Sequence, residues 1–224
     1  MRSVPTARYK DLCIDTTNVE ISEVFWSQAL GLARTGVGDD SRLIGPAPQH
    51  TVWINTVAEP KTVKNRVHID VHTDSLDTLQ ALGATVVEHF ERWTVLADPD
   101  GQEFCAFLRD APPSYRLYEI VVDCRESLTI ARWWAHMFGA RLTEGDEGDW
   151  WWVGEIPGCP IEGFAFVPVP EPKTIKNRVH WDVMVSTVTD LLDAGATLLR
   201  RRDDEIRWHV LADPEGNEFC AFEE

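Results

Sequence analysis

The chain has 224 residues, of which 44% are hydrophobic and 26% charged, a balance typical of a globular protein with a buried core. Its 37 acidic and 21 basic residues give a formal net charge of -16, which disfavours nucleic acid and anionic membrane surfaces as partners. The sequence shows no membrane-spanning run and no signal-peptide pattern, and its five cysteines form no CxxC pair, so a cytoplasmic location is expected.

The chain opens with a strand, a helix and further strands. Apolar and β-branched residues at 12–15 predict the first strand, and apolar spacing over 19–30 before Gly31 predicts an amphipathic helix with a glycine C-cap. Residues 51–57 predict the clearest of the two or three strands that follow. The same order then restarts. Its strand, short helix, strand and two hairpin strands are predicted at residues 67–72, 76–82, 85–88, 93–97 and 103–107.

The second half of the chain repeats the first. Residues 59–70 return at 171–182, and residues 96–107 return at 211–222, each with ten of twelve positions identical. The starts of the two copies match more weakly. The proline-rich residues 111–114 divide the chain into domains at 1–110 and 111–224. Equivalent elements are predicted at residues 120–123, 127–138, 163–169, 179–185, 188–194, 197–200, 208–212 and 218–222.

Each copy divides again into two βαβββ modules. The turn before the last strand reads Asp-Pro-Asp-Gly at 98–101 and Asp-Pro-Glu-Gly at 213–216, a composition that favours a type I turn. This plan, together with the strings Lys-Asn-Arg-Val-His-x-Asp and Asp-Pro-x-Gly-x-Glu-Phe-Cys, resembles the glyoxalase/bleomycin resistance protein branch of the vicinal oxygen chelate superfamily. The resemblance implies an α+β fold of two tandem glyoxalase-like domains, in which four modules form curled mixed sheets around concave clefts.

The resemblance also implies positions for four ligands of a divalent metal in each cleft. These positions hold Asp11, His50, His68 and Cys105 in one copy, and Glu119, Glu162, His180 and Cys220 in the other. Trp53 or Ala165 could face inward instead of His50 or Glu162 if the loop lengths differ. Metal-binding relatives carry Glu where this chain has Cys105 and Cys220, so a metal-free protein is expected, with Zn, Ni, Mn or Fe as the alternative cofactor.

Two arrangements of the clefts remain open. Each copy can form its own cleft, or the copies can act as a fused pseudo-dimer. In the second case Asp11 meets His180 and Cys220, whereas Glu119 meets His68 and Cys105. The protein is expected to be such a monomeric pseudo-dimer or a homodimer.

Two further patterns suggest binding or catalytic chemistry. His68 and Asp70 share one face of a strand, as do His180 and Asp182, so each Asp could raise the pKa of its His to form a general base, or hold it structurally. The chain has ten tryptophans, and Trp53 and Trp152 could form an aromatic platform for a ligand. The predicted ligand-binding residues are Trp53, His68, Cys105, Trp152, His180 and Cys220.

Three functions are consistent with these patterns. The first is a metal-free protein that holds a small organic ligand, aromatic or cationic, in an aromatic-lined cleft. The second is a divalent-metal lyase, isomerase or dioxygenase of the glyoxalase type, with His68, Asp70, His180 and Asp182 as catalytic candidates. The third is a scaffold for protein interaction whose clefts are filled by side chains.

Overall fold

The computed structural model describes residues 5–36, 38–146 and 148–224. The helices in this part of the chain are α1 (Val19–Leu30), α2 (Leu76–Ala81), α3 (Ser127–Phe138) and α4 (Val188–Asp193). All four lie where the sequence predicts them, and Gly31 and Gly139 end α1 and α3 in the left-handed conformation expected of a glycine C-cap. Among the described residues, no helix is both long enough and apolar enough to cross a membrane.

Each copy contributes eight strands to the described structure. The first copy contains β1 (Ala7–Thr16), β2 (Ala33–Thr35), β3 (Arg42–Ile44), β4 (Val52–Thr56), β5 (Val67–Thr73), β6 (Thr85–His89), β7 (Thr94–Ala97) and β8 (Glu103–Leu108). The second contains β9 (Leu117–Cys124), β10 (Arg141–Glu144), β11 (Trp151–Gly154), β12 (Gly163–Pro168), β13 (Val179–Val185), β14 (Thr197–Arg200), β15 (His209–Ala212) and β16 (Glu218–Glu223).

The strands form two eight-stranded mixed sheets. The order in sheet A is β14-β15-β16-β13-β1-β4-β3-β2, and the order in sheet B is β10-β11-β12-β9-β5-β8-β7-β6. Each sheet therefore joins the first module of one copy to the second module of the other. The structure confirms the predicted α+β architecture of four βαβββ modules.

Antiparallel strand pairs connect the two copies at the centre of each sheet. In sheet A, β1 pairs with β13 and places Asp11 opposite Asp182. In sheet B, β5 pairs with β9 and places Asp70 opposite Glu119. The chain thus has the fused pseudo-dimer arrangement, and each concave face contains residues from both copies.

Helices α1 and α3 carry the aromatic residues of a core that extends between the sheets. Phe25 and Trp26 of α1 pack against Phe104 of β8, with ring centroids 5.6 Å and 5.2 Å away. Trp134 of α3 packs in the same way against Trp181, at 4.9 Å. Burying one such side chain stabilises the fold by about 1.5–3 kcal/mol, which favours keeping both helices on the inner, convex faces of the sheets.

The same two helices fix the turns that precede β8 and β16. The indole Nε1 of Trp26 donates to Asp98 Oδ2, and that of Trp134 donates to Asp213 Oδ2, each at 3.1 Å. The Gly101 amide donates to the Asp98 carbonyl at 2.9 Å, as a tight turn requires. These bonds tie the ends of β8 and β16 to the core, which holds the cysteines of both strands in place.

Candidate functional site

Successive side chains of a strand point to opposite faces of the sheet, and this alternation determines which residues lie on the concave faces. On β1, Leu12 and Ile14 enter the core, so Asp11 and Cys13 face the other way. The concave face of sheet A, called cleft A, brings together Asp11, Cys13, Trp53, His180, Asp182 and Cys220. The concave face of sheet B, called cleft B, brings together His68, Asp70, Cys105, Glu119 and Trp152.

A hydrogen-bonded pair of carboxyl groups forms the centre of cleft A. Asp11 Oδ2 accepts from Trp53 Nε1 at 3.1 Å and from Lys10 Nζ at 2.5 Å, and the Lys10 ammonium lies 3.8 Å from Asp182 Oδ2. Cys13 Sγ donates to Asp182 Oδ1 at 3.7 Å. Burial, followed by repulsion from Asp11, raises the pKa of Asp182 well above its usual range, which favours the protonated form of Asp182.

A neutral imidazole and a protonated thiol complete cleft A. His180 Nε2 lies 4.0 Å from Asp182 Oδ1, beyond hydrogen-bonding distance. Burial lowers the pKa of His180 and raises that of Cys220, whose thiol bonds to Asp182. The alternative in which Asp182 raises the pKa of His180 is therefore wrong, because loss of water outweighs the nearby acids Asp15, Glu218 and Asp11.

Cleft B repeats this chemistry. Asp70 and Glu119 bond to each other, and burial raises the pKa of both carboxyls. His68 Nε2 lies 3.5 Å from Asp70 Oδ1 and 3.5 Å from Cys105 Sγ. Burial lowers the pKa of His68 to about 4, so the predicted rise is wrong here too and the ring is neutral at physiological pH.

An indole meets the first-strand carboxyl in both clefts but comes from different strands. Trp53 of β4 lies opposite Cys13 and bonds to Asp11. The residue at that place in the second copy is Ala165, and the indole in cleft B belongs instead to Trp152 of β11, which lies opposite Ala165 and bonds to Glu119. Both predicted tryptophans therefore face the clefts.

The structure does not bring His50 or Glu162 into these clusters. Residues 48–50 form a 3₁₀ turn in which His50 Nδ1 bonds to the backbone of Ala47, and the ring packs against Tyr115 at 4.5 Å. The Glu162 side chain is 63% exposed, and its described ion-pair contact is with the imidazole of His72, at 3.9 Å. The ungapped spacing misplaced both ligands: His50 lies in this turn before β4, and Glu162 lies one residue before β12 begins at Gly163.

Lys10 and Cys13 lie in cleft A but were not predicted from the sequence as site residues. Strand β1 shifts its register between Tyr9 and Asp11, and this bulge turns Lys10 to the same side as Asp11. The sequence carries no mark of the bulge apart from a lysine inside an apolar strand. Cys13 could have been found, because it lies two residues after Asp11 on a strand.

The donors present do not fit the four-ligand metal site that the resemblance implies. Neither Trp53 nor Ala165 offers a ligand atom, the acids bond to each other, and burial favours the thiol form of Cys105 and Cys220. Each cleft offers three donor atoms within 4.8 Å of one another instead. These groups are Cys13, His180 and Asp182 in cleft A, and His68, Asp70 and Cys105 in cleft B.

A cavity of about 420 Å³ opens onto one end of cleft A. Asp11 lies between this cavity and the buried cluster, because it lines the cavity and also faces Asp182. Trp53, Met184 and Pro157 form an apolar part of the wall, and Arg42 adds a cation. This volume lies within the usual range for small-molecule sites.

Comparison with known proteins agrees with this architecture. The glyoxalase-like domain family matches residues 11–107 and 119–222, so the chain belongs to that family and repeats its domain in tandem. The resemblance to the vicinal oxygen chelate superfamily is thereby confirmed. A search of curated proteins gives no significant match.

Three solved structures share the fold over nearly the whole chain. Glyoxalase I from Zea mays aligns with a TM-score of 0.70 at 12% identity, over 97% of this chain and 92% of that one. A putative dioxygenase from Bacillus subtilis aligns at 0.65 and 13% identity, over 98% and 86%. The cppA protein from Streptococcus pneumoniae aligns at 0.53 and 8% identity, over 97% and 98%. At such low identity the similarity shows the fold alone.

Proposed function

We propose that this chain binds a small organic molecule in the cavity of cleft A, against Trp53, and that binding needs no metal ion. The observation that supports the proposal is the cavity itself, whose volume of about 420 Å³ can enclose a small ligand. Its wall combines apolar surface with a few polar groups, as ligand sites commonly do. The fused pairing of the two copies supports a monomer as the acting form, and the free cysteines suit a reducing cytoplasm.

The polar groups of the cavity suit recognition by hydrogen bonding. Trp53 presents a flat apolar face while its N–H is occupied by Asp11. The raised pKa of Asp182 favours its protonated form, which can both accept and donate a hydrogen bond. A flat ligand with one polar edge would therefore have its ring against the indole and its edge towards Asp11.

Replacing Trp53 should remove ligand binding from cleft A. We expect a panel of aromatic acids, amines and amides to yield at least one ligand by thermal shift, with a dissociation constant measured by calorimetry. Trp53→Ala should weaken that ligand about tenfold or more, because it removes the aromatic wall, whereas Trp53→Phe should weaken it less. Dialysis against a chelator should leave the affinity unchanged.

Trp152→Ala is the matched control, because it removes the corresponding indole from cleft B. If no member of the panel binds, or if both tryptophan variants bind as the unaltered protein does, the proposal is wrong.

A metal-dependent lyase, isomerase or dioxygenase is the second candidate. The three-donor groups favour it, since one His, one Asp and one Cys within 4.8 Å can ligate zinc once the thiol loses its proton. Against it stand the hydrogen-bonded acids and the missing fourth donor described above. The choice between the two functions is therefore a question of metal content.

Metal analysis of protein purified without chelator separates the two candidates. Our proposal expects well under one equivalent of Zn, Ni, Mn or Fe per cleft. The metal-dependent alternative expects about one per cleft, lost from cleft A in His180→Ala and from cleft B in His68→Ala. His136→Ala, on the exposed face of α3, is the control that should change neither result. Stoichiometric metal that follows this pattern would replace our proposal with the alternative.

A further inference from the structure

The cavity of cleft A concentrates positive charge in an acidic protein. The chain has 37 acidic and 21 basic residues, yet Arg8, Lys10 and Arg42 all line this cavity. Among the described lining residues, Asp11 is the acid that opposes them. A local excess of cations in a chain of net charge -16 requires a physical explanation, and an anionic ligand supplies one.

Arg42 is positioned to receive such a ligand. Its guanidinium lies over the ring of Trp53, 5.0 Å from the centroid, which holds the charged plane beside the aromatic wall. Its described ion pair is a 3.4 Å contact from Nη1 to Asp40, whose side chain is 76% exposed, and such a pair is weak in water. A guanidinium has five donors in a planar fork, so most of them remain available for a carboxylate.

The other two cations of the cavity also have acidic partners. Lys10 donates to Asp11, lies 3.8 Å from Asp182, and approaches the Phe222 ring to 4.2 Å. Lys10 therefore faces both acids at the centre of the cleft. Arg8 forms an ion pair with Glu224. The acidic partner of Arg42 is the most exposed of the three, so the positive charge of Arg42 is the least neutralised by its ion pair.

In cleft B the positions of Lys10 and Arg42 hold no cation, although Arg116 stands where cleft A has Arg8 and the Arg109 guanidinium lies 5.8 Å from the centroid of the Tyr118 ring. Tyr118 takes the place of Lys10, because it precedes Glu119 as Lys10 precedes Asp11. Trp152 takes the place of Arg42, because it pairs with Ala165 as Arg42 pairs with Trp53. The two clefts thus share a His, an Asp and a Cys but differ in charge at the rim.

We infer that cleft A selects an anionic ligand, a small planar molecule whose carboxylate binds the Arg42 guanidinium while its apolar part lies against Trp53 and Met184. The inference rests on the proposed function and adds the chemical class of the ligand. A carboxylate matches a guanidinium in shape and can accept two parallel hydrogen bonds from it. The Lys10 ammonium adds attraction from the same wall of the cavity.

Three probes of one shape test this inference by calorimetry, namely 2-naphthoate, 2-naphthamide and 2-naphthylmethylamine. We expect the carboxylate to bind about tenfold more tightly than the amide, and the amine to bind most weakly. The advantage of the carboxylate should shrink as salt rises from about 20 to about 300 mM, because ions screen the attraction. Arg42→Gln should abolish the advantage and leave amide binding in place, whereas Arg42→Lys should keep part of it.

Arg34→Gln is the control, since Arg34 is an exposed neighbour on β2 that pairs with Glu23. Equal affinity for the carboxylate and the amide, or a preference that survives Arg42→Gln, would overturn the inference. If the amide still binds and Trp53→Ala abolishes that binding, the proposed function stands without the anionic preference. If none of the three probes binds, the inference is overturned, and the ligand panel described above tests the proposed function separately.

Discussion

Expressed as separate chains, residues 1–110 and 111–224 should each fail to form a stable folded monomer. The strands that connect the copies, β1 with β13 and β5 with β9, are central in the sheets, so separation removes a partner from the middle of each sheet. A lone copy would also expose core positions that the other copy covers. Such edges and apolar surfaces favour aggregation or exchange of modules between identical chains.

Co-expression of the two fragments should restore the fold. We expect a one-to-one complex with the elution volume and far-ultraviolet circular dichroism of the full chain, measured by size-exclusion chromatography with light scattering. Each fragment alone should elute as a dimer or larger species, or remain insoluble. A compact, folded monomer of residues 1–110 would show that one copy can close its own cleft, contrary to the sheet order described here. The domain boundary at 110/111 stays a prediction until such fragments are made.

Raising the pH should destabilise the native protein through the paired acids of cleft B. Burial raises the pKa of Glu119 to about 7, and burial with repulsion from Glu119 raises that of Asp70. Both acids ionise near pH 4 in an unfolded chain. Between these values the native state holds more protons than the unfolded state, so the free energy of unfolding falls as the pH rises from about 4 through about 7.

Glu119→Gln isolates this contribution. The amide keeps the shape and can still bond to Asp70, but it cannot ionise. We expect the variant to gain roughly 1–3 kcal/mol of unfolding free energy relative to the unaltered protein between pH 5 and pH 8.5, measured by denaturant titration. His68, whose pKa burial lowers to about 4, gives the opposite slope below about pH 6.5, but it does so in both proteins and cancels from the comparison.

Glu91→Gln provides the control for removing one negative charge, because Glu91 is exposed. Its stability relative to the unaltered protein should stay nearly constant over the same pH range. A Glu119→Gln variant whose relative stability is equally constant would mean that burial does not raise the pKa of Glu119 in the native state.

The second module of each copy could be predicted almost completely from sequence. The repeated strings place the same strand, turn and final strand in both copies, and alternation on β5 puts His68 and Asp70 on one face. The turn at 98–101 was also predictable, because its residue types favour one geometry. Local patterns sufficed here because the elements are short and their neighbours are close in sequence.

The rest depended on contacts between distant parts of the chain. Identical strings in both copies cannot tell which copy supplies the partner strand, so the pairing of Asp11 with Asp182 remained open. A bulge turned Lys10 into cleft A, and a 3₁₀ turn moved His50 away from it. Burial, rather than the sequence neighbour Asp70, determines the pKa of His68 and lowers it. The burial of a side chain depends on the packing of the whole fold, so the sequence pattern around His68 could not predict it.

The sheet order also explains how the two clefts came to differ. The second modules share two strings that match at ten of twelve positions each, and each cleft receives one of these modules, so both clefts contain the same His, Asp and Cys. The first modules have drifted apart, and they supply the divergent residues: Lys10 and Arg42 on one side, Tyr118 and Trp152 on the other. In each cleft, one module supplies the repeated His, Asp and Cys, and the other module supplies the residues that differ. The ligand specificity of one cleft can therefore evolve without a change in the other cleft.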